Sequence, residues 1–482
     1  MNNNTNIKKN FFYSSILTTA NYIFPFITYP YVSRVLGVDK IGACNFVDSI
    51  IHYFILISML GISSIGIREI AKSKRSYNEL SNTFNNLFWL TGFCTLLATL
   101  ILLICIYSIP QLYVHKNLMF IGVLKLISNF LLIEWLFKGL EDFKYITQRT
   151  LIVKCIYVIC VFCFVKEQSD YSIYYLLLTL MISLNALCNC MYARKYVRIK
   201  IPKSIFKYLK PLAIMGLYAI LTNMYTTFTT AFLGFKSGET HVGYFSTATK
   251  IFSILISLYT AFTGVMLPRM SSLLSEGKHE QFRLLLNKSM DILMAISIPL
   301  IIFSIFFAPD IIHIIAGNGY EGAILPMQIC MPLILIIGYE QIVIVQGLLP
   351  LKKDKAVLIN SIVGALIGII GCFMLIPFLQ SVGASIVWLS SEICVLISAS
   401  LFMWKYERIN FPFYRLVKIL IIHIPLCVLF IFTYKIQCGT FLRLSINGIL
   451  LGCYCFVLQY FIIKQEFVIT LINNVQQRMR LK

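Results

Sequence analysis

Charge is what this sequence has least of. Asp, Glu, Lys and Arg make up 13% of its 482 residues, about half the share usual in a soluble domain. Long polar stretches are missing as well, which excludes a sizeable water-soluble domain. There is no metal or disulfide framework either. The 15 Cys lie scattered through apolar runs. The close pairs Cys160/Cys163, Cys188/Cys190 and Cys453/Cys455 have no His or further Cys beside them, so they read as small packing residues. A cleavable signal is lacking: after Lys8 and Lys9 an apolar run extends from Phe11 to Val35, long enough to span a bilayer and be retained.

What is present is hydrophobicity, 59% of residues with a mean hydropathy of +0.81. Runs of about 17–25 apolar residues are the unit of membrane crossing. They fall at 11–35, 41–66, 87–107, 119–138, 150–165, 171–193, 211–234, 244–267, 292–308, 323–349, 357–379, 382–404, 416–434 and 444–463. The expected fold is therefore an all-α polytopic membrane protein with about fourteen transmembrane helices. A net charge of +21 would suit nucleic acid, but the cations sit in short segments between apolar runs, so no nucleic-acid partner is expected. Lys and Arg favour the cytoplasmic side of membrane proteins. With the N-terminus inside, 31 of the 41 Lys and Arg fall in inner segments, seven in outer ones, and Lys125, Lys154 and Lys250 inside spans. Both termini are then cytoplasmic.

The most basic segment, RKYVRIKIPKSIFKYLK at 194–210, lies between the sixth and seventh spans. It reads as a charged linker between lobes or as a headgroup site facing the anionic inner leaflet. A weak internal repeat agrees with two lobes. Ile41-Gly42 matches Val242-Gly243, and Arg68 matches Arg269, at the same offset. The predicted organisation is an N-terminal six-helix lobe at 1–200, a pseudo-symmetric C-terminal six-helix lobe at 201–410, and two accessory helices with a cytoplasmic tail at 411–482. Parallel repeats of this kind imply a transporter with a cavity between its lobes.

The segment 21–72 resembles the opening of a known family. It has Pro25 and Pro30 in the first helix, Ser33-Arg34-Val35-Leu36-Gly37 at the turn, Gly42 with Phe46 entering the second helix, and Gly66-Ile67-Arg68-Glu69-Ile70-Ala71 at its exit. VGYFSTATK (242–250), GNGYEGAILPMQI (317–329) and LIPFLQSVGASIVWLSSE (375–392) continue the likeness. The family is that of the Wzx-type O-antigen and capsule flippases of the multidrug/oligosaccharidyl-lipid/polysaccharide exporter superfamily. The resemblance implies translocation of an undecaprenyl-pyrophosphate-linked oligosaccharide from the inner to the outer leaflet. It also implies membrane lipids as surroundings, H⁺ or Na⁺ as a coupling ion, a polysaccharide polymerase as a candidate partner, and no cofactor.

An ion in the bilayer costs at least about 2.5–3.5 kcal/mol, so each intramembrane charge is a functional candidate. Asp48 and His52, at i and i+4, share one helix face and have the chemistry to exchange a proton; a self-satisfied pair is the plainer reading. Lys250 matches Ser49 in the repeat register, putting it at the depth of Asp48 in the opposite lobe. Arg34, Lys125 and Lys250 are expected to hold the pyrophosphate, while Asp48, His52, Glu340 and Glu392 couple a cation; packed, neutral carboxyls are the alternative for the two Glu. Lys154 and Glu134 are expected to snorkel to water from helix ends, and His423 to be a packed histidine. Gly317-Asn318-Gly319-Tyr320-Glu321-Gly322 spells the dinucleotide fingerprint, but in a loop between spans it reads as a turn. Two rivals remain: a cation-coupled multidrug exporter of the same superfamily, and a membrane glycan polymerase or glycosyltransferase. The second would have only Asp310, His313 and Glu321 on its longest outer segment.

Overall fold

Lipid offers no hydrogen-bond partner to the backbone, so a chain this apolar must satisfy its amides within helices. The computed structural model of the protein, which describes residues 3–202, 204–435 and 439–458, is all-helical: among the described residues every regular element is a helix. Ten of these are long and apolar enough to cross a membrane. The number is eleven if Glu239–Ser257 and Phe262–Ser275, bent by 42° at their junction, form one span. Fourteen is thus not the number that length and apolarity return. The difference has local causes. Asn3–Met59 runs through one expected gap, with a break at Gly37 (φ 76, ψ 170). Asp354–Glu407 runs through another, with a break at Gln380 (φ 51, ψ −124). The expected seventh span divides into Phe206–Thr222, a π-turn at Met224–Phe228, and Thr229–Ser237. The end of the last expected span and the tail, 459–482, lie outside the described residues.

Helices also begin earlier than their apolar runs. Phe143–Phe164 starts behind Asp142, whose side chain accepts from the Tyr145 amide. His279–Phe306 starts thirteen residues before the run that hydropathy detects at 292. The leading turns are amphipathic and sit beyond the hydrocarbon, where hydropathy has no signal.

The turns gather at two ends of the bundle. At one, Gly37 lies against Gln168, His115 pairs with Glu239 at 2.8 Å, and Thr240 donates to Asp39 at 2.6 Å. At the other, Lys74 pairs with Glu141 at 2.9 Å, Asn85 donates to the Arg198 carbonyl at 2.7 Å, and Arg283 donates to Glu407 at 3.0 Å. The first end is tightly closed. A Cβ on Gly42 would stand 1.8 Å from the Glu239 carbonyl oxygen, and one on Gly243 would stand 2.4 Å from that of Val38. Only glycine admits such backbone approach.

The buried core follows this division. One cluster joins Val32, Val47 and Leu126 to Phe245, Met327 and Val387, across the closed end. Towards the opposite end it gives way to two separate clusters, one drawn from Ile62 to Leu212 and the other from Met270 to Ile409. Phe413–Ile422, Ile424–Tyr434 and Thr440–Val457 pack peripherally, through Leu426 and Phe430 on Phe307 and Arg443 on Asp310 at 2.7 Å. Large apolar side chains such as Ile104 and Phe378 stay exposed on the flanks, the surface a bilayer covers.

Gly42→Ala is expected to cost about 1–3 kcal/mol through overpacking at the closed end, read as a lower unfolding temperature in detergent. Gly448→Ala, where a Cβ meets nothing within 4 Å, should leave that temperature unchanged.

Candidate functional site

Two adjoining hollows of about 250 and 410 Å³ lie between the two halves of the bundle and share Asn45, Asp48 and Lys250. Asn45, Asp48, Ser49 and His52 all line the larger one, because spacings of three, four and seven place them on a single helix face. Opposite stand Ser246, Thr249, Lys250 and Ser253 from Glu239–Ser275, with Thr226, Thr227 and Thr230 beside the π-turn. The hydroxyls of Ser49, Thr249 and Ser253 bond back to their own helix, so the walls are polar while the ladders stay intact.

Charge is concentrated in the smaller hollow, lined by Lys125, Lys154, Lys250 and Asp48. With three cations and one carboxylate its formal charge is +2. Asp48 forms an ion pair with Lys125 and accepts from the Tyr175 hydroxyl at 3.1 Å. The pairing is with Lys125 in its own half and not with Lys250 across the cavity. Lys250 instead lies over the Tyr29 ring, 4.2 Å from its centroid. Tyr29 is fixed in turn by a 2.6 Å bond between its hydroxyl and that of Thr247. A cation on an aromatic face is attracted without being neutralised.

Lys154 corrects an expectation. It is 8% exposed and donates to the Asn21 side chain at 2.6 Å and the Ala20 carbonyl at 3.3 Å. Both partners belong to the helix Asn3–Met59, so the ammonium is directed into the bundle and not out to water. Glu134 is held by Arg149 at 2.9 Å and Lys138 at 3.0 Å.

Arg34 lies apart from both hollows. It is exposed at the closed end and donates to the carbonyls of Pro30, at 2.8 Å, and Ile314. His52 bonds to Asn223, so it and Asp48 have different partners despite sharing a face. Glu340 and Glu392 are buried in the second half, 7% and 4% exposed. Glu392 accepts from the Trp388 indole at 3.0 Å. His423 is buried, its Nδ1 2.8 Å from the Ile419 carbonyl oxygen, as a packed histidine should be. Gly317 and Gly319 take φ of 91° and 83° in a turn between short helices, with no strand among the described residues. Among the described residues no group of His, Cys, Asp or Glu is placed to hold a metal.

Several lining residues were invisible to a search for charge. Asn21, Asn45 and Tyr175 are single polar groups in apolar runs. Thr226, Thr227 and Thr230 carried a signal, a threonine cluster inside a span, whose direction depends on a π-turn that periodicity does not reveal.

Lys125→Met should leave Asp48 without its counter-ion and lower stability by about 1–3 kcal/mol. Asp48→Asn combined with Lys125→Gln should recover most of that loss, with thermal unfolding in detergent as the measurement.

Comparison with known proteins now bears on this cavity. Residues 7–274 match the family described as polysaccharide biosynthesis protein, and residues 215–374 match MatE. The chain is 25% identical over 419 residues to a putative O-antigen transporter of Escherichia coli (strain K12), spanning 84% of this chain and 99% of that protein. A putative O-antigen transporter of Shigella dysenteriae is also 25% identical, over 83% of this chain and 99% of its own. In fold the chain is similar to a lipid II flippase, MurJ, in an inward closed conformation (TM-score 0.72, 17% identity, 94% of this chain and 98% of that one). It is also similar to an inward-facing multidrug resistance MATE family transporter of the MOP superfamily (TM-score 0.64, 14% identity, 84% and 98%).

Proposed function

The chain belongs to the polysaccharide biosynthesis protein family, and from that premise we propose that it is a flippase for lipid-linked oligosaccharide. In this reading it carries undecaprenyl-pyrophosphate-linked repeat units from the inner to the outer leaflet of a bacterial cytoplasmic membrane, with both termini inside. Delivery to a polysaccharide polymerase would follow. The observation that carries the proposal is the cluster of Lys125, Lys154 and Lys250 around one carboxylate in an enclosed cavity. A diphosphate has the complementary charge, and its oxygens can replace the Asp48 carboxylate as the partner of Lys125. The similarity to putative O-antigen transporters supports the same substrate class.

Alternating access fits the geometry. Residues 1–200 and 201–410 act as two lobes that rock about the cavity, with 411–482 accessory. Asp39 touching Thr240 at an offset of 201, with Gly42 against Gly243 nearby, supports a pseudo-twofold axis through the closed end. The separate clusters at the opposite end support a state that opens inward. A further hollow of about 250 Å³, lined by Pro25, Phe26, Lys250, Ile251 and Ile254, joins the cavity to the lipid-facing side and offers a path for a polyprenyl tail. Arg34 would meet the substrate only once the closed end parts. Asp48 and His52 in the cavity, and the buried Glu340 and Glu392, are the groups through which H⁺ or Na⁺ would couple.

A cation-coupled multidrug exporter is the second reading, favoured by the MatE match over 215–374. A cavity of formal charge +2 repels the cationic substrates such an exporter would take. A glycan polymerase or glycosyltransferase is disfavoured by the pairing of Asp310 with Arg443 and the bond of Glu321 to the Gly319 amide at 3.1 Å. Asp310 is engaged by the helix Thr440–Val457 and Glu321 by its own turn.

Lys250→Gln should reduce surface glycan at least tenfold in a complemented deletion strain, with the protein still in the membrane fraction. Wild-type surface glycan in that strain would refute the role.

A further inference from the structure

Three hollows meet at Lys250. It lines the cationic one of about 250 Å³, the hydroxyl-walled one of about 410 Å³, and the lipid-facing one that also holds Pro25, Phe26 and Ile254. A polyprenyl tail, a diphosphate and a glycan are joined in that order, with the diphosphate in the middle. The flippase reading houses the first two parts, the tail in the apolar hollow and the diphosphate among the lysines. The third hollow is left over. It shares Asn45, Asp48 and Lys250 with the cationic one, so a group one bond away from the diphosphate can enter it.

Its chemistry differs from that of its neighbour. Asp48 and Lys250 cancel in formal charge, and His52 is the other titratable group in its lining. Where the smaller hollow carries +2, the larger one offers no net charge to a second anion. It offers hydrogen-bonding groups instead. Thr230 donates to the Thr226 carbonyl at 3.1 Å, Thr249 to that of Ser246 at 3.0 Å, and Ser253 to that of Thr249 at 2.7 Å. Asn45, on the facing helix, gives its amide nitrogen to the Ile41 carbonyl at 2.9 Å, which leaves Oδ1 as an acceptor. All four residues are half-buried, open to the hollow that they line.

A hydroxyl bonded back to its own helix is ordinary in a membrane span. Four acceptor oxygens converging from three helices on one hollow are not. Each hydroxyl has used its proton and keeps its oxygen lone pairs. The wall therefore accepts freely, whereas donating from it would break a bond already made. The remaining side is apolar, formed by Phe245, Phe252 and Trp388. The Trp388 ring is braced edge-to-face by Phe252, with centroids 5.0 Å apart. A ligand rich in donors, uncharged, and with apolar C–H faces is a sugar.

We propose that the larger hollow is the subsite for the sugar attached directly to the diphosphate, an assignment that rests on the flippase reading. That sugar donates from its hydroxyls to Asn45, Thr230, Thr249 and Ser253 while its C–H face lies towards Trp388. Selectivity for the first sugar then follows from its donors, and the rest of the glycan extends beyond the hollow.

The test is binding of two synthetic lipids to the purified full chain: undecaprenyl diphosphate, and the same lipid carrying one glucose. The wild type should bind the glucosyl lipid about tenfold more tightly, the worth of one or two net hydrogen bonds. Thr249→Val with Ser253→Ala should take that gain away, so that the glucosyl lipid binds only as well as the bare one. Thr249→Ser with Ser253→Thr, which keeps both oxygens, should restore it. These hydroxyls bond only to carbonyls of their own helix, so the variants keep the fold; Thr230→Val, on another helix, checks the result independently. Replacing the glucose hydroxyls by fluorine, which fills similar space and cannot donate, should abolish the gain, and full retention would overturn the acceptor wall. Equal wild-type affinity for the two lipids would overturn the subsite and leave the diphosphate reading standing. Binding of neither lipid would overturn the flippase reading and the subsite together.

Discussion

An ion costs several kcal/mol in lipid unless something answers its charge, and the arrangement of this bundle follows from how four such ions are answered. Lys125 is met by Asp48, and Asp48 by Tyr175 as well. Lys154 is met by neutral oxygens of Asn21 and Ala20, and Lys250 by the face of Tyr29. Only one of the three cations has a full counter-charge. The hollow they share therefore keeps a formal excess of two positive charges.

The closed end makes that cavity an enclosed one. Gly42 and Gly243 let two helices touch backbone to backbone, and the bonds from Tyr320 to Ser33 and from Thr240 to Asp39 tie down the turns around them. None of these contacts is large in area or deeply ionic. Behind them the apolar cluster that joins Val32, Val47 and Leu126 to Phe245, Met327 and Val387 runs across the same end. At the opposite end the core already divides in two. Glu340 and Glu392 are buried within one of those halves.

Much of this was legible in the sequence. The i, i+4 spacing of Asp48 and His52 put both on the cavity wall, and the repeat register brought Lys250 to the depth of Asp48, where the two line one hollow. Lys154 was misread because its position along the helix does not say which way it turns, and it turns to Asn21 and Ala20 of the first helix. The partner of Asp48 was not legible: choosing Lys125 over Lys250 depends on helix rotation, which spacing along one helix does not fix. The exact number of spans is not fixed by element count alone, since the kinks at Gly37 and Gln380 join helices into two long elements where polarity marks four.

The central claim is that the three lysines together hold the diphosphate of a lipid-linked glycan. It is tested most directly by measuring binding of undecaprenyl-diphosphate-linked oligosaccharide to purified protein, with wild type set against a variant carrying Gln at positions 125, 154 and 250. The account predicts one glycolipid bound per wild-type chain, competed off by inorganic pyrophosphate, and affinity at least a hundredfold weaker in the variant. Equal affinity in the two proteins, or binding indifferent to pyrophosphate, would contradict it.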